Sequence, residues 1–230
     1  MAKIISLAEN QEEALRAALK ALKEGKVVAI PTETFYGLAV DCQNEEALKR
    51  LFALKRRPEE KPVLLLVGDL AQLEEVVREI TPLARKLIAA FWPGPLTLVL
   101  EARPGLSSFL TAGTGKVAVR LSSHPVPRRL ALSFGRPITG TSANLSGKPP
   151  ARSVAEVLAQ LPGVDLVLDA GELSARAPST IVDASGEAPV LLREGEIPWA
   201  EILGATGDTD LPPPQRGVLP ARGEGSRRRR

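Results

Sequence analysis

Apolar positions along the chain recur with two spacings, one typical of helices and one typical of buried strands. Ala14, Leu15, Ala18 and Leu22 lie on one face of a predicted helix that ends at Gly25. Further segments with helical spacing are residues 44–55, 70–80, 81–91, 125–134 and 153–161. Apolar runs that predict strands are residues 27–30, 63–67, 96–100, 116–121, 136–141, 165–169, 179–183 and 190–193.

This alternation predicts an α/β (α+β) fold, a single domain with a mixed β-sheet flanked by helices. Alternating helices and strands favour crossover connections, whereas the later strands lie closer together, so we expect parallel and antiparallel pairs. With 230 residues, 44% of them hydrophobic, the chain can bury a large core. No apolar run approaches the ~18 residues that span a bilayer, and the first residues lack a secretion signal. We therefore expect a cytoplasmic protein without a membrane segment.

Charge is distributed unevenly between the two ends of the chain. Residues 204–230 hold six of the 30 Lys and Arg residues and three of the 27 Asp and Glu residues, which leaves the remainder neutral. We predict a domain over residues 1–203 and a Pro/Gly/Arg-rich flexible tail over residues 204–230. The basic excess is thus no argument that the domain binds nucleic acid, although the tail could bind tRNA weakly.

Cysteine and histidine chemistry is limited to one residue of each type, Cys42 and His124. A disulfide within the chain and a Cys/His zinc site are excluded, so we predict no resident metal site. Any metal should be oxygen-bound and arrive with a substrate. The sequence contains neither a Walker P-loop nor a G-x-G-x-x-G motif. We interpret Cys42 as a packing residue, and His124 and Trp92 as residues at helix ends.

Three polar segments next to predicted strands could form a binding site. "PTETFYG" brings Thr32, Glu33, Thr34 and Tyr36 to a strand end, where α/β sheets bind ligands. A plain strand-to-turn transition explains this segment equally well.

The second segment, "ALKRRPEEKP", contains Lys55 and Arg57. Because these residues are two positions apart, their side chains lie on the same side only where the chain is extended. The helix should therefore end before Arg57, as Pro58 suggests. A point charge and a bidentate guanidinium suit a polyphosphate, but a solvated helix end would have the same composition.

The third segment, "PITGTSANLSGKPP", offers hydroxyls and backbone amides suited to oxyanions, or forms only a turn. Ser179 and Thr180 precede one later strand, and Arg193 ends another.

These motifs, in this order and spacing, resemble the YrdC-like family of L-threonylcarbamoyladenylate synthases. The resemblance extends over about residues 9–193 and rests on "PTETFYGLA", Lys55-x-Arg57, "KVAVRLSSHPV", "TSANLSG", "STIVD" and "LLREG". It indicates a short form without the extra C-terminal domain of longer members. Closure of the site would then fall to residues 173–178 or to the tail.

The resemblance implies a nucleotidyltransferase that makes threonylcarbamoyl-AMP and pyrophosphate from L-threonine, bicarbonate and ATP, with Mg²⁺ accompanying ATP. The product serves threonylcarbamoyladenosine formation in tRNA, so tRNA-modifying proteins that take up the adenylate are implied partners. The implied fold is a twisted mixed sheet around a large, positively lined cavity. The alternative is a module that binds double-stranded RNA or tRNA without catalysis, which the scarcity of aromatic residues disfavours.

Site residues follow from the resemblance position by position. Lys55 and Arg57 are the implied catalytic residues. The implied ATP ligands are Lys55, Arg57, Ser142, Asn144 and Arg193, and the implied threonine ligands are Thr32, Arg120, Gly140 and Ser179. The chain departs from the family pattern at Lys116 and Pro150, where a threonine and a serine are common, so one nucleotide contact should be lost or replaced.

Overall fold

The computed structural model describes residues 2–58 and 62–207, which contain eleven strands and eight helices. The strands are β1 Lys3–Ser6, β2 Val28–Ile30, β3 Gly37–Ala39, β4 Leu65–Leu66, β5 Leu96–Glu101, β6 Lys116–Arg120, β7 Ile138–Thr139, β8 Thr141–Ser142, β9 Leu166–Asp169, β10 Thr180–Asp183 and β11 Val190–Arg193. The helices are α1 Gln11–Lys23, α2 Glu45–Lys55, α3 Leu70–Val76, α4 Pro82–Phe91, α5 Ser108–Thr111, α6 Pro125–Phe134, α7 Val154–Gln160 and α8 Trp199–Thr206.

The predicted helices are present, and most begin at a polar residue whose side chain accepts a first-turn backbone N–H. Such caps are Asn10, Asn44, Asp69, Thr81 and Ser153. The helix predicted over residues 70–80 ends early, at Val76. The chain turns there to meet β5, where Arg78 N donates to Glu101 O at 2.8 Å.

One sheet has five strands in the order β1-β9-β2-β3-β8. Strand β9 is parallel to both β1 and β2, whereas β3 is antiparallel to β2 and β8. The apolar faces of α1 and α6 pack on this sheet, and Leu15, Leu22, Val28, Ile30 and Leu130 belong to the resulting core.

The other sheet has six strands in the order β11-β10-β5-β6-β4-β7. It is also mixed, since β5 is parallel to β10 and antiparallel to β6. Alternate residues of β5 and β6 point into the main core, among them Leu96, Leu98, Leu100, Val117 and Val119. The opposite face of these strands is therefore free to carry polar groups.

Gly140 joins the two sheets. It lies between β7, which pairs with β4, and β8, which pairs with β3. A Cβ atom at this position would lie 2.4 Å from Leu66 Cγ, so only glycine fits. The predicted single α/β domain with mixed strand pairing is confirmed, and its strands are divided between two joined sheets.

Five elements were not predicted: β1, β3, β8, α5 and α8. All but α8 are four residues or shorter, and β3 lies inside the polar motif. Helix α8 continues to Thr206, across the predicted boundary after residue 203, and residues 208–230 of the predicted tail lie outside the described part. Within the described ranges no helix has both the length and the apolar character for crossing a membrane.

Candidate functional site

Strand register gathers polar residues at one edge of the six-stranded sheet. Arg120 ends β6 and pairs with Leu66 of β4, while Arg193 ends β11 and pairs with Ile181. Ile181 in turn pairs with Thr97 near the start of β5. Residues from five strands thus meet at this edge.

Ser179, Thr97 and Arg193 form a connected group of hydrogen bonds. The hydroxyls of Ser179 and Thr97 are 2.9 Å apart, and both residues are buried. Arg193 donates from Nε and Nη2 to Ser179 O at 3.2 and 2.7 Å, and from Nη2 to Ser179 Oγ at 3.2 Å. Burial, and then the positive charge of Arg120, lower the pKa of Arg193. The two guanidinium groups therefore lie close enough for their charges to interact.

Arg120 is buried beside one carboxylate. Its side chain is 4% exposed, and its Nε lies 3.4 Å from Oε1 of Glu33, whose side chain is 12% exposed. Ser122 donates its hydroxyl to the other carboxylate oxygen, Oε2. Among the described residues, Arg120 Nε and Glu33 Oε1 have no partner with hydrogen-bond geometry. Burial lowers the pKa of Arg120, and the negative charge of Glu33 opposes that effect.

Thr32 and Thr34 have different roles in the β2–β3 connection. Thr32 donates its hydroxyl to Phe35 O at 2.7 Å and accepts from Thr34 N at 3.1 Å. Its hydroxyl lies 3.0 Å from that of Thr34, which must donate because the Thr32 proton is already used. The Thr32 hydroxyl therefore uses its donor and both acceptor positions within the connection. The Thr34 hydroxyl accepts from Arg120 Nη1 at 3.5 Å.

Lys55 forms the centre of a second cluster. Helix α2 ends at Lys55, and Arg56 has φ 49°, which turns the chain as the Pro58 argument predicted. Lys55 Nζ donates to Ser142 O, and to Asn144 O at 2.8 Å. The side chain is buried, and burial together with the neighbouring charge of Arg57 lowers the pKa of Lys55 to about 7.

The Ser142-x-Asn144 pair forms the loop that faces Lys55. Ser142 Oγ donates to Asn144 Oδ1 at 2.5 Å, and Asn144 Nδ2 donates to Lys148 O at 2.5 Å. Ser142 is exposed, whereas Asn144 is buried. On the other side of Lys55, Arg57 donates from Nη2 to Pro62 O at 2.7 Å, and burial lowers its pKa.

Two clusters are thus defined, the Arg120 cluster (Arg120, Glu33, Arg193, Ser179 and Thr97) and the Lys55 cluster (Lys55, Arg57, Ser142 and Asn144). They adjoin through the β2–β3 connection. Thr34 contacts the Arg120 cluster, and Gly37, three residues later, pairs with Ser142. Ala143 N also donates to Tyr36 O at 2.7 Å. All the predicted site residues except Thr32 and Gly140 thus present polar groups in two adjoining clusters.

Tyr36 and Gly140 serve the fold instead of facing a ligand through side chains. Tyr36, expected at the rim, is fully buried, and its hydroxyl donates to Gly171 O at 2.8 Å. Gly140 joins the sheets. Lys116 pairs with Asp183 at 2.7 Å, toward the end of the sheet opposite Arg120. Lys116, which replaces the family's common threonine, therefore forms its ion pair away from the Arg120 end of the sheet.

The structural interpretations of Cys42, His124 and Trp92 agree with their contacts. His124 caps α6 through Nδ1, which accepts from Val126 N at 3.2 Å. Trp92 ends α4 and donates from Nε1 to Leu96 O at 2.8 Å. Cys42 is buried, which raises the pKa of its thiol to about 12 and makes it unreactive.

Thr97 and Ser122 were missed by the sequence analysis. Each gave a faint signal: Thr97 is the polar residue in the apolar run "LTLVL", and Ser122 lies inside "RLSSHPV". Their partners are 82 and 89 positions away in sequence, so only the folded chain identifies them.

Chemically, the site combines four cations, of which Lys55 and Arg120 are buried, with neutral oxygens and one carboxylate. Burial of incompletely paired charge is costly, and an anionic ligand would offset that cost. In the described part of the chain no group of three or more His, Cys, Asp or Glu side chains could hold a metal ion. The arrangement suits binding of several anionic groups side by side.

Known proteins resemble this chain over most of its length. The family model Sua5_yciO_yrdC, described as "Telomere recombination", matches residues 20–195. The threonylcarbamoyl-AMP synthase of Pyrococcus abyssi is 39% identical over 212 residues, which are 91% of this chain and 62% of that protein. The protein of that name from Vibrio cholerae is 43% identical over 183 residues, 78% of this chain and 95% of that protein.

A solved structure also resembles this chain over most of its length. The crystal structure of P. abyssi Sua5 complexed with L-threonine superposes with a TM-score of 0.84 at 38% identity, covering 90% of this chain and 61% of that one. The chain thus spans less than two thirds of the P. abyssi protein.

Proposed function

Because the chain belongs to the Sua5/YciO/YrdC family, we propose that it condenses L-threonine, bicarbonate and ATP into threonylcarbamoyl-AMP and pyrophosphate. The observation that carries the proposal is the pair of adjoining cationic clusters, Arg120 with Arg193 and Lys55 with Arg57. Threonine and bicarbonate give a carbamate, and its carboxylate must attack the α-phosphorus of ATP. Two anions have to meet, so the reaction requires fixed positive charge more than a nucleophilic side chain.

The Lys55 cluster suits the phosphates of ATP. Lys55 is held by the carbonyls of Ser142 and Asn144, so its charge is preorganised beside the exposed Ser142 of the "TSANLSG" loop. Arg57 brings a second cation. Together they would orient the triphosphate and offset the charge that develops on the leaving pyrophosphate.

The Arg120 cluster suits the amino acid and its carbamate. A guanidinium binds a carboxylate in bidentate fashion, and Arg120 is fixed between Glu33 and Thr34. Ser179 and Thr97 supply hydroxyls beside it. Supporting the assignment, the P. abyssi relative crystallised with L-threonine has the same fold.

Magnesium belongs to this proposal as part of the MgATP substrate. Since the described residues offer no cluster of metal ligands, the phosphates would hold most of the ion's coordination sphere. Bound there, Mg²⁺ withdraws charge from the triphosphate and so assists departure of pyrophosphate. Lys55 and Arg57 position the phosphates, whichever waters complete that sphere.

The adenylate is expected to pass to proteins that attach the threonylcarbamoyl group to tRNA adenosine, and the cytoplasm supplies ATP, threonine and tRNA together. The alternative of a double-stranded RNA or tRNA-binding module fits the structure less well. Lys55 and Arg120 are buried, whereas contacts to RNA phosphates need cations on the surface.

The test is synthesis by the purified chain without RNA. Supplied with ATP, L-threonine and bicarbonate, it should release pyrophosphate and form threonylcarbamoyl-AMP, identified by mass spectrometry. Omitting bicarbonate or threonine should abolish both products, and Lys55→Met should reduce them strongly. RNA binding without any adenylate formation would favour the alternative.

A further inference from the structure

Glu33 is the carboxylate that pairs with the buried guanidinium of Arg120 at this sheet edge. Glu33 Oε1 lies 3.4 Å from Arg120 Nε, and the positive charge of Arg120 helps to lower the pKa of Arg193, so three charges lie near one another. His124, which also borders Glu33, has its pKa lowered by burial, so it adds little positive charge at neutral pH. Glu33 therefore supplies the negative charge of the cluster.

Glu33 is held in place from one side only. Ser122, itself fully buried, donates to Oε2, and the Ser122 hydroxyl in turn accepts from His124 N at 3.2 Å. Oε1 points toward Arg120 but makes no hydrogen bond within the described residues, and neither does Arg120 Nε. Glu33 Oε1 and Arg120 Nε are therefore buried polar atoms, 3.4 Å apart, that make no hydrogen bond to the described residues. Leaving such atoms without hydrogen bonds costs free energy, which a bound ligand would offset.

We propose that Glu33 determines specificity for a zwitterionic amino acid, by pairing its charge with the substrate's α-ammonium while Arg120 takes the α-carboxylate. The inference rests on the proposed function. A site containing only Arg120 and Arg193 would favour any small carboxylate, because its field is purely positive. With Glu33 beside Arg120, both signs lie next to each other, which matches the two charges of L-threonine.

The experiment compares two ligands that differ by the amino group. Calorimetric titration of the full chain with L-threonine and with (R)-3-hydroxybutyrate, which retains the carboxylate and the hydroxyl, gives a ratio of dissociation constants. We expect the wild-type chain to prefer threonine by about 10- to 100-fold, the range for a charge-assisted hydrogen bond. In Glu33→Gln this ratio should fall about tenfold or more, through weaker threonine binding and unchanged or tighter hydroxybutyrate binding.

Glu33→Asp is the matched control, since it keeps the charge and should retain most of the preference. Thermal unfolding of each variant confirms that it folds. A Glu33→Gln ratio equal to wild type, or equal losses for both ligands, would overturn the inference and leave Glu33 as a partner of Arg120 alone. Failure of the wild-type chain to bind threonine at all would instead overturn the proposed function, and the inference with it.

Discussion

Lys55 shows how a single buried charge can prepare a site for its ligand. Its ammonium group is surrounded by carbonyl oxygens of the 142–144 loop, and its pKa is lowered to about 7 by burial and by Arg57. Near neutral pH both protonation states of Lys55 are thus accessible, and an arriving polyphosphate favours the charged form.

Titration of Lys55 should make ATP binding pH-dependent. The protonated form binds phosphate, so the affinity for ATP should fall as pH rises above about 7, by up to roughly tenfold per pH unit until the pKa of the complex is reached. At pH 8, calorimetry in buffers of different ionisation enthalpy should detect proton uptake on binding. Lys55→Met should abolish the uptake, whereas Lys49→Met, which removes an exposed partner of Glu46, should not. Equal uptake in all three proteins would contradict the role of Lys55.

Replacement of Arg120 should affect threonine more than ATP. Arg120→Ala removes a guanidinium at the proposed carboxylate position, and we expect threonine binding to weaken by about 1.5–3 kcal/mol. Arg129→Ala is the control, since Arg129 forms a surface pair with Glu12. Separate titrations with threonine and ATP check the expectation, and unchanged threonine affinity would disprove the assignment.

At the residue scale, sequence reasoning identified the charged residues of the two clusters better than their surroundings. The composition of residues 53–62 left Lys55 and Arg57 ambiguous, and the family resemblance indicated both of them and Arg120. The orientation of Tyr36 could not be predicted, because its hydroxyl bonds to Gly171, 135 positions away. The sequence also could not distinguish Thr32, whose hydroxyl bonds within the turn, from Thr34, whose hydroxyl accepts from Arg120, 86 positions away.

Among the secondary-structure elements, the short β7–β8 segment has the greatest influence on the site. It joins both sheets, supplies the loop that holds Lys55, and passes within van der Waals contact of Leu66. Periodicity predicted one strand over residues 136–141. It could not predict the switch between sheets, because that depends on the partners β3 and β4.

Gly140→Ala should destabilise the domain. The added methyl group would collide with Leu66, which is fully buried and cannot retreat, so we expect a loss of about 1–3 kcal/mol. Gly186→Ala is the matched control, because nothing lies within 4 Å of a Cβ there, and its effect should stay within about 0.5 kcal/mol. Urea unfolding of both variants measures the difference, and equal stabilities would contradict the close approach at Gly140.

For the molecule as a whole, the excess of positive charge lies at one end of the sequence. Residues beyond Gly207 account for the net charge of +3, whereas Lys55 and Arg120 of the candidate site are buried in the part of the chain that the structure describes. The net charge of the chain is therefore no measure of the charge in the site.

Truncation after Gly207 should separate synthesis from binding of polyanions. We expect threonylcarbamoyl-AMP formation at saturating substrates to persist, while retention of tRNA at low salt decreases, because the removed arginines attract phosphates by screened electrostatics. Full-length and truncated chains are compared for turnover and for tRNA retention at two salt concentrations. Loss of turnover would show that the removed residues are needed to complete the site, and identical retention would leave the arginines without this role.

The insertion of β9 between β1 and β2 has a consequence for how the chain folds during synthesis. Residues 3–6 reach their place in the sheet only by pairing with residues 166–169, and β2 pairs with the same strand. Until about three quarters of the chain has left the ribosome, β1 has no partner and β2 keeps an open edge. Strand pairs between residues so far apart in sequence form slowly. The nascent chain should therefore expose apolar strand edges that holding chaperones bind, and no N-terminal fragment that lacks β9 should acquire the fold.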